Sequence, residues 1–216
     1  MRLFLDTANI DEVRAAHRMG ILSGVTTNPS LMAKESGVTY RERVVEICET
    51  VDGPVSAECT ARDLEGLLEE ARQIASWHRH VVVKIPIDRQ GLEAASILSR
   101  EGIRINMTLV FSANQALLAA LAGCTYVSPF IGRLDDAGHD GMEVVRQAVE
   151  IFDRYHLPAQ VLAASIRLPT HVTRAALAGA HIATMPWSVL EAMVKHPLTD
   201  IGIERFLADS RKYSHV

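Results

Sequence analysis

The sequence predicts an α/β protein of the (β/α)8 TIM-barrel class, and three observations support that prediction. Short apolar strands alternate with amphipathic helices eight times along the 216 residues. A barrel of this kind takes roughly 200–250 residues, which fits the length of the chain. No stretch rich in proline, glycine or serine interrupts the alternation, so we expect one domain over residues 1–216. A doubly wound open sheet is the alternative that the same alternation allows.

The eight strands are predicted where β-branched and aliphatic residues gather between polar loops. In chain order they are Arg2–Thr7, Ser23–Thr27, Val55–Cys59, Val81–Ile85, Arg104–Leu109, Tyr126–Phe130, Gln160–Ser165 and Ile182–Met185. Because a helical segment follows each strand, the strands are expected to run parallel to one another.

The helices are predicted where apolar residues recur at the spacing of one helix face. In chain order they are Ile10–Met19, Tyr40–Val51, Leu64–Ser76, Gly91–Glu101, Ala113–Ala122, Gly141–Tyr155, Thr170–Ala178 and Ser188–Lys195. The sixth shows the spacing well, with Val145, Ala148 and Phe152 on one stripe.

A ninth helix, Thr199–Ser210, is predicted within the C-terminal segment 199–216, after the barrel is already complete. Its Ile203, Phe206 and Leu207 form an apolar stripe that has no barrel position to fill. We therefore expect this helix to pack on its own barrel or on a neighbouring subunit.

The fourth predicted strand carries a lysine, Lys84, inside a run of valine and isoleucine that is typical of a strand covered on both faces. Pro86 is expected to end the strand, because proline cannot donate to a sheet ladder. Alternation places Lys84 on the face of Val82, inside the barrel. Burial penalises an ammonium and favours a neutral, nucleophilic amine, as in a Schiff-base lysine. A lysine that extends from the strand end to solvent is the alternative.

The inward face of each of the first seven predicted strands becomes polar toward its C-terminal end. The residues concerned are Asp6, Thr26, Asn28, Glu58, Lys84, Asn106, Thr108, Ser128, Phe130, Ser165 and Arg167. On the seventh strand this assignment also points Ala163 inward. The C-terminal ends of barrel strands form the catalytic mouth, so we expect a site there. Taken singly, each residue could instead be a helix cap, a turn residue or an ordinary strand hydroxyl.

Arg133, Ser165 and Arg167 follow the sixth and seventh strands and predict a phosphate site, since two guanidinium groups and a hydroxyl suit that anion. Barrels often bind phosphate near their last strands. The alternatives are an ion pair of Arg133 with Asp135 or Asp136, and a solvated Arg167.

Composition disfavours other classes of function. The net charge of −4 argues against a nucleic-acid or membrane-surface partner. The nine histidines form no metal-ligand pattern, and no glycine-rich dinucleotide or phosphate loop occurs. Three widely spaced cysteines, Cys48, Cys59 and Cys124, are expected to be buried free thiols of a cytoplasmic protein.

Six stretches, in order along the chain, closely resemble the transaldolase family, in particular the small-subunit branch that includes the fructose-6-phosphate aldolases. They are Phe4-Leu5-Asp6-Thr7-Ala8, Gly24-Val25-Thr26-Thr27-Asn28-Pro29-Ser30, Val83-Lys84-Ile85-Pro86, Asn106-Met107-Thr108-Leu109-Val110-Phe111, Ser128-Pro129-Phe130-Ile131-Gly132-Arg133 and Ala164-Ser165-Ile166-Arg167. The resemblance implies an α/β barrel, sugar-phosphate substrates, no metal or organic cofactor, and a homo-oligomeric ring, pentameric or decameric. It also implies a place in the pentose phosphate pathway.

The resemblance further implies a role for each site residue. The catalytic residues that it implies are Lys84, Asp6, Glu58 and Thr108. The substrate-binding residues that it implies are Thr26, Asn28, Asn106, Ser128, Phe130, Arg133, Ser165 and Arg167. A dihydroxyacetone unit would be transferred from fructose 6-phosphate or sedoheptulose 7-phosphate to an aldose phosphate.

Two positions favour transfer over cleavage within this branch. The aldolases resemble one another in a glutamine and a tyrosine where this chain has Glu58 and Phe130. A glutamate can move protons, and a phenylalanine leaves no phenol to activate water near the reacting carbon. An aldolase that releases free dihydroxyacetone, and a non-catalytic barrel that binds sugar phosphates, remain alternatives.

Overall fold

The computed structural model describes residues 1–213 and shows eight parallel strands closed into a barrel in chain order. Each strand pairs with the next along the chain, and the last strand pairs with the first. The strands are β1 Arg2–Asp6, β2 Leu22–Thr26, β3 Val55–Glu58, β4 Val81–Pro86, β5 Ile105–Val110, β6 Tyr126–Pro129, β7 Gln160–Ala163 and β8 Ile182–Met185. The closed barrel confirms the predicted fold class and excludes the open sheet.

Helices surround the barrel, and most begin at a side-chain cap. They are α1 Ile10–Arg18, α2 Pro29–Met32, α3 Tyr40–Thr50, α4 Leu64–Ala75, α5 Arg89–Arg100, α6 Ala113–Leu121, α7 Ile131–Asp136, α8 Gly141–Arg154, α9 Pro169–Leu177, α10 Trp187–Val194 and α11 Pro197–Ser210. The short helices α2 and α7 were not predicted, because four to six residues hold too little periodicity to detect.

The alternation of faces along β4 agrees with the prediction. Val83 and Ile85 lie fully buried in the large apolar layer between the strands and the helices. Val82 lies instead in a smaller cluster inside the barrel, with Phe4 and Leu162. A single strand thus contributes to both cores, and Lys84 follows Val82 on the inner face.

The prediction for the seventh strand was wrong by one residue. Ala163 belongs to the outer apolar layer, whereas Leu162 and Ala164 belong to the cluster inside the barrel. Because apolar residues occupy both faces of this strand, its sequence shows no alternation of polar and apolar residues. Ser165 still lines a cavity at the mouth, since its backbone adopts the left-handed region with φ 56°.

The prediction that Pro86 ends β4 is confirmed, because Pro86 is the last residue of the strand, one position beyond the predicted bound at Ile85. The amides of Val83 and Ile87 donate to the carbonyls of Arg104 and Thr108 on the β5 side. The missing N–H of Pro86 therefore faces the β3 side, where β3 has already ended at Glu58.

The C-terminal helix α11 begins at Pro197, two residues before its predicted start, and carries no buried residue. Proline is favourable in the first turn of a helix, where its missing N–H costs nothing. Residues 214–216 of the predicted C-terminal segment lie outside the described residues. Within residues 1–213, no helix combines the length and apolarity that crossing a membrane would need.

Candidate active site

Two cavities with shared lining residues lie at the C-terminal end of the barrel, and Lys84 lines both of them. We call them the inner cavity, of about 120 Å³, and the outer cavity, of about 340 Å³. Of the predicted site residues, the inner cavity is lined by Asp6, Thr26, Asn28, Lys84, Asn106, Ser128, Phe130, Arg133 and Ser165. The outer cavity is lined by Asn28, Glu58, Lys84, Thr108, Phe130 and Arg133.

Lys84 and Glu58 form a buried pair between these cavities. The register of β3 and β4 sets the two residues opposite each other. Lys84 Nζ lies 2.9 Å from Glu58 Oε2, and the two side chains are 7% and 13% exposed. The ammonium also lies 3.3 Å from the carbonyl oxygen of Thr27. The pair can therefore exchange a proton directly.

Asp6 is held on the opposite side of the inner cavity. Thr26 Oγ1 donates to Asp6 Oδ1 at 2.7 Å, and Thr26 Oγ1 also lies 2.7 Å from the hydroxyl of Thr184. Because Thr184 accompanies Ile182 on the inner face of β8, a periodicity of two along β8 could have revealed it. The sequence prediction stopped at seven strands and did not include it.

An amide and two hydroxyls form a second fixed group on the floor of the inner cavity. Asn106 Nδ2 donates to Ser56 Oγ at 3.1 Å, and Ser128 Oγ donates to Asn106 Oδ1 at 2.6 Å. All three residues are buried, so the amide is held in one orientation. Such a group can hydrogen-bond the hydroxyls of a small polar ligand.

Thr108 lies at the outer cavity with Glu58 and is fully buried. Among residues 1–213, its Oγ1 has no hydrogen-bond partner. Buried hydroxyls are almost always hydrogen-bonded, so this one is available to a water molecule or a ligand. The following residue, Leu109, takes a left-handed backbone with φ 57° and lines the same cavity.

Tyr40, which the sequence did not indicate, supports the Lys84–Glu58 pair from α3. Its hydroxyl accepts a hydrogen bond from the amide of Glu58 at 2.6 Å and lies 3.2 Å from Thr27 Oγ1. Burial raises the pKa of Tyr40 to about 12, so the phenol stays protonated. Because the contact joins residues 18 positions apart, no local pattern could have predicted it.

The three residues expected to bind phosphate occupy different environments. Arg133 lines both cavities, with its guanidinium carbon 5.1 Å from the centre of the Phe130 ring. Ser165 lines the inner cavity. Arg167 lines neither cavity and instead pairs with Asp136 at 2.6 Å.

The alternative ion pair of Arg133 with its own loop does not form. Asp136 is taken by Arg167, and Asp135 lies 3.3 Å from His171 Nε2. Within the described part of the chain, Arg133 has no carboxylate partner. Its charge is therefore available to an anion at the mouth.

Residues 1–213 contain no group of three side chains arranged to hold a metal ion. Their three cysteines are free and buried. Burial raises the pKa of Cys48 and Cys124 to about 12, and it raises the pKa of Cys59 as well, so none is a ready thiolate.

The chain is a parallel (β/α)8 barrel, and a buried amine and carboxylates lie at the C-terminal ends of its strands. These features are typical of barrel enzymes that bind polar ligands at the strand ends. The chain belongs to one family of that class, because the model described as "Transaldolase/Fructose-6-phosphate aldolase" matches residues 3–215. This match confirms the resemblance seen in the sequence.

Three relatives with curated names are similar to this chain over nearly its whole length. The chain is 62% identical over 209 residues to a "Probable transaldolase" of Heliobacterium modesticaldum, which covers 97% of each chain. It is 61% identical to one of Desulforudis audaxviator, again over 97% of each chain. It is 58% identical to one of a Roseiflexus species, over 97% of this chain and 96% of the relative.

Proposed function

We propose that this protein is a transaldolase that carries a dihydroxyacetone unit on Lys84. The unit comes from fructose 6-phosphate or sedoheptulose 7-phosphate and passes to glyceraldehyde 3-phosphate or erythrose 4-phosphate. The observation that carries the proposal is the buried amine of Lys84, 2.9 Å from Glu58, in contact with the cavity that holds Asp6. Amine, proton carrier and base are the three groups that Schiff-base aldol chemistry requires.

The first step is addition of the neutral Lys84 amine to the C2 carbonyl of the ketose. Glu58 takes the ammonium proton beforehand and supplies a proton to the carbinolamine oxygen, which leaves as water. The free hydroxyl of Thr108 orients a water molecule between Glu58 and this oxygen. The product is a cationic iminium that can accept an electron pair.

The second step is cleavage of the C3–C4 bond. Asp6 removes the proton of the C4 hydroxyl, C4 becomes the aldehyde carbon, and the bonding pair moves into the iminium to give an enamine. The aldose phosphate leaves and another aldehyde enters. The enamine carbon then attacks that aldehyde, Asp6 returns the proton, and hydrolysis frees Lys84. Asn106 and Ser128 hydrogen-bond the hydroxyls of the retained unit, together with Asn28.

Transfer is favoured over release of free dihydroxyacetone because the enamine must survive until the acceptor arrives. Phe130 lines both cavities and presents a ring without a hydroxyl beside Lys84. No phenol is therefore present at this position to activate water beside the enamine, which slows protonation of its carbon. An aldolase that releases dihydroxyacetone is the second candidate, supported by the family description, which includes both activities.

The phosphate group would be bound by Arg133 and Ser165. Arg167 could join them by exchanging Asp136 for the phosphate, since its ion pair is half-exposed and such pairs are weak. A phosphate dianion carries more negative charge than the carboxylate and also forms charge-assisted hydrogen bonds with arginine. We further propose a cytoplasmic location, which the three free thiols support, and a reaction that needs no cofactor.

Borohydride trapping tests the proposal. Reduction in the presence of fructose 6-phosphate should add a three-carbon unit to the peptide that holds Lys84, as detected by mass spectrometry. Lys84→Ala should abolish the added mass while leaving the circular dichroism spectrum unchanged. Lys195→Ala, at an exposed lysine that lines neither cavity, is the control and should trap normally. Lack of trapping in the wild type would favour a non-catalytic binding barrel.

A second assay separates the transferase from the aldolase. Fructose 6-phosphate is supplied with and without erythrose 4-phosphate, and free dihydroxyacetone and sedoheptulose 7-phosphate are measured. We expect rapid formation of sedoheptulose 7-phosphate only with the acceptor. Equally rapid release of dihydroxyacetone without acceptor would assign the protein to the aldolases.

A further inference from the structure

A second lysine lies at the mouth of the barrel and has no part in the chemistry described above. Lys34 follows the short helix α2, in the loop that leads from β2 to α3, and it is exposed. It lines the outer cavity together with Lys84, Glu58 and Arg133. It also lines an adjoining cavity of about 390 Å³, next to Asp6. Its ammonium therefore stands where ligands enter.

The carboxylates around Lys34 are all engaged by other groups. Glu12 accepts a hydrogen bond from Thr7 Oγ1 at 2.5 Å, and Glu35 lies 3.4 Å from Arg43. Glu58 pairs with Lys84. Along residues 1–213, Lys34 has neither an ion-pair partner nor a side-chain hydrogen bond. Asp6, the fourth acidic residue of these cavities, accepts a hydrogen bond from Thr26 Oγ1. Because Lys34 pairs with none of the four, its ammonium group is free to bind a ligand.

The outer cavity consequently carries two positive charges without partners, those of Lys34 and Arg133, since its one acidic residue is neutralised by Lys84. An unbalanced pair of cations at a cavity attracts anions and raises their local concentration. Arginine binds phosphate through a planar fork and lysine as a point charge, so the two complement each other around one dianion. Arg167, in contrast, is already paired with Asp136.

We propose that Lys34 is a further phosphate-contacting residue, which acts with Arg133 from the outer cavity, while Ser165 contributes from the inner cavity that Arg133 also lines. Its ligand is the phosphate dianion of a sugar phosphate. The inference rests on the proposed function for the identity of the sugar, but the anion position itself follows from the charges. Lys34 thereby selects phosphorylated over unphosphorylated substrates, while the bond-breaking groups act in the inner cavity.

The first test is direct binding, which requires no catalytic activity. Titration calorimetry with inorganic phosphate compares the wild type with Lys34→Met, which keeps the length of the side chain and removes its charge. We expect the dissociation constant to rise about tenfold, the effect of losing one charge-assisted hydrogen bond. Lys195→Met, at another exposed lysine, is the matched control and should bind phosphate as the wild type does. Equal affinities of both variants would overturn the proposal.

The second test is kinetic and concerns discrimination. In Lys34→Met, KM should rise about tenfold for glyceraldehyde 3-phosphate and stay unchanged for unphosphorylated glyceraldehyde, with kcat within about twofold. Lys34→Arg should retain most of the affinity for the phosphorylated acceptor. Equal increases in KM for both acceptors would indicate a local structural role and overturn the proposal.

A failure of the proposed function would be recognised separately. Borohydride trapping with dihydroxyacetone, which carries no phosphate, reports the Schiff base without involving Lys34. Absence of trapping in the wild type would reject the transaldolase reaction, whereas the phosphate titration would still decide the role of Lys34.

Discussion

At the scale of single residues, the contact between Lys84 and Glu58 determines what the barrel can do. The two groups are 2.9 Å apart and nearly buried. Removal of either one leaves the other buried without its hydrogen-bond and charge partner. Because the amine nitrogen and the carboxylate oxygen are in direct contact, a proton can pass from one group to the other. Glu58 is thus valuable as a proton carrier and not only as a counter-ion.

Glu58→Gln tests that distinction, because glutamine keeps the size and a hydrogen-bond acceptor for Lys84 but cannot carry the proton. We expect kcat for transfer between fructose 6-phosphate and erythrose 4-phosphate to fall by ~10²–10⁴, the usual contribution of a general acid or base. Glu101→Gln, which removes a surface ion pair with Arg72, is the control and should leave kcat unchanged. A loss of less than about tenfold in Glu58→Gln would reduce Glu58 to a structural partner.

At the scale of elements, most of the barrel could be predicted because each strand gathers apolar residues between polar loops. The observed strands begin and end within a residue or two of their predicted bounds. The inner face of β4 followed from alternation alone. The short helices α2 and α7 could not be predicted, because four to six residues are too few to show a helical periodicity.

The site was predictable where a residue sits on a regular strand and less so elsewhere. Asp6 and Lys84 follow from strand alternation, and the structure brings both to the inner cavity. Ser165 lines that cavity because its backbone adopts the left-handed region, and the alternation of side chains along a strand does not predict that conformation. Tyr40 and Lys34 lie on a helix and a loop that only the folded chain brings to the mouth.

Gly132 on α7 controls how closely this short helix approaches the end of β7. A Cβ at this position would lie 2.3 Å from the carbonyl oxygen of Ser165 and 2.7 Å from Arg167 Nε. Gly132→Ala should therefore displace the backbone of Ser165 and lower the free energy of unfolding by about 1–3 kcal/mol, as measured by urea denaturation. KM for phosphorylated substrates should rise as well.

Gly202→Ala in α11 is the matched control, because a Cβ there meets no atom within 4 Å. In an exposed helix this change should stabilise the chain by about 0.5–1 kcal/mol. If Gly132→Ala is as stable as the wild type and has the same KM, the approach of α7 to β7 is not the constraint that the geometry indicates.

At the scale of the whole molecule, the buried thiols couple stability to alkaline pH. Burial raises the pKa of Cys48, Cys124 and Tyr40 to about 12, well above their values in an unfolded chain. Between about pH 8.5 and pH 12 the folded state thus holds more protons than the unfolded state, and stability falls as pH rises. The stabilisation is fully present below about pH 8.5, where both states are protonated.

The free energy of unfolding from urea titrations at pH 8, 9 and 10 should therefore decrease, by up to ~1.4 kcal/mol per pH unit for each buried thiol. Cys124→Ala removes one of these groups and should make the decrease shallower. A free energy of unfolding that is constant from pH 8 to pH 10 would contradict the assignment of these thiols as protonated in the folded state.

Helix α11 carries apolar side chains that its own barrel leaves uncovered. Its apolar side chains, none of them buried, are Leu198, Ile201, Ile203, Phe206 and Leu207. Five large apolar side chains exposed on one helix are typical of an interaction site. We propose that α11 packs on a neighbouring copy of the chain, which would make the protein a homo-oligomeric ring.

Phe206→Asp tests the assembly, since it places a charge in the middle of this surface, where Phe206 is 75% exposed. Burying that carboxylate at an interface would be costly, so the oligomer should dissociate to smaller species in multi-angle light scattering. Leu177→Asp is the matched control, because Leu177 on α9 is 84% exposed but lies outside α11. If both variants keep the native mass, α11 does not form the subunit contact, and its exposed apolar face requires another partner.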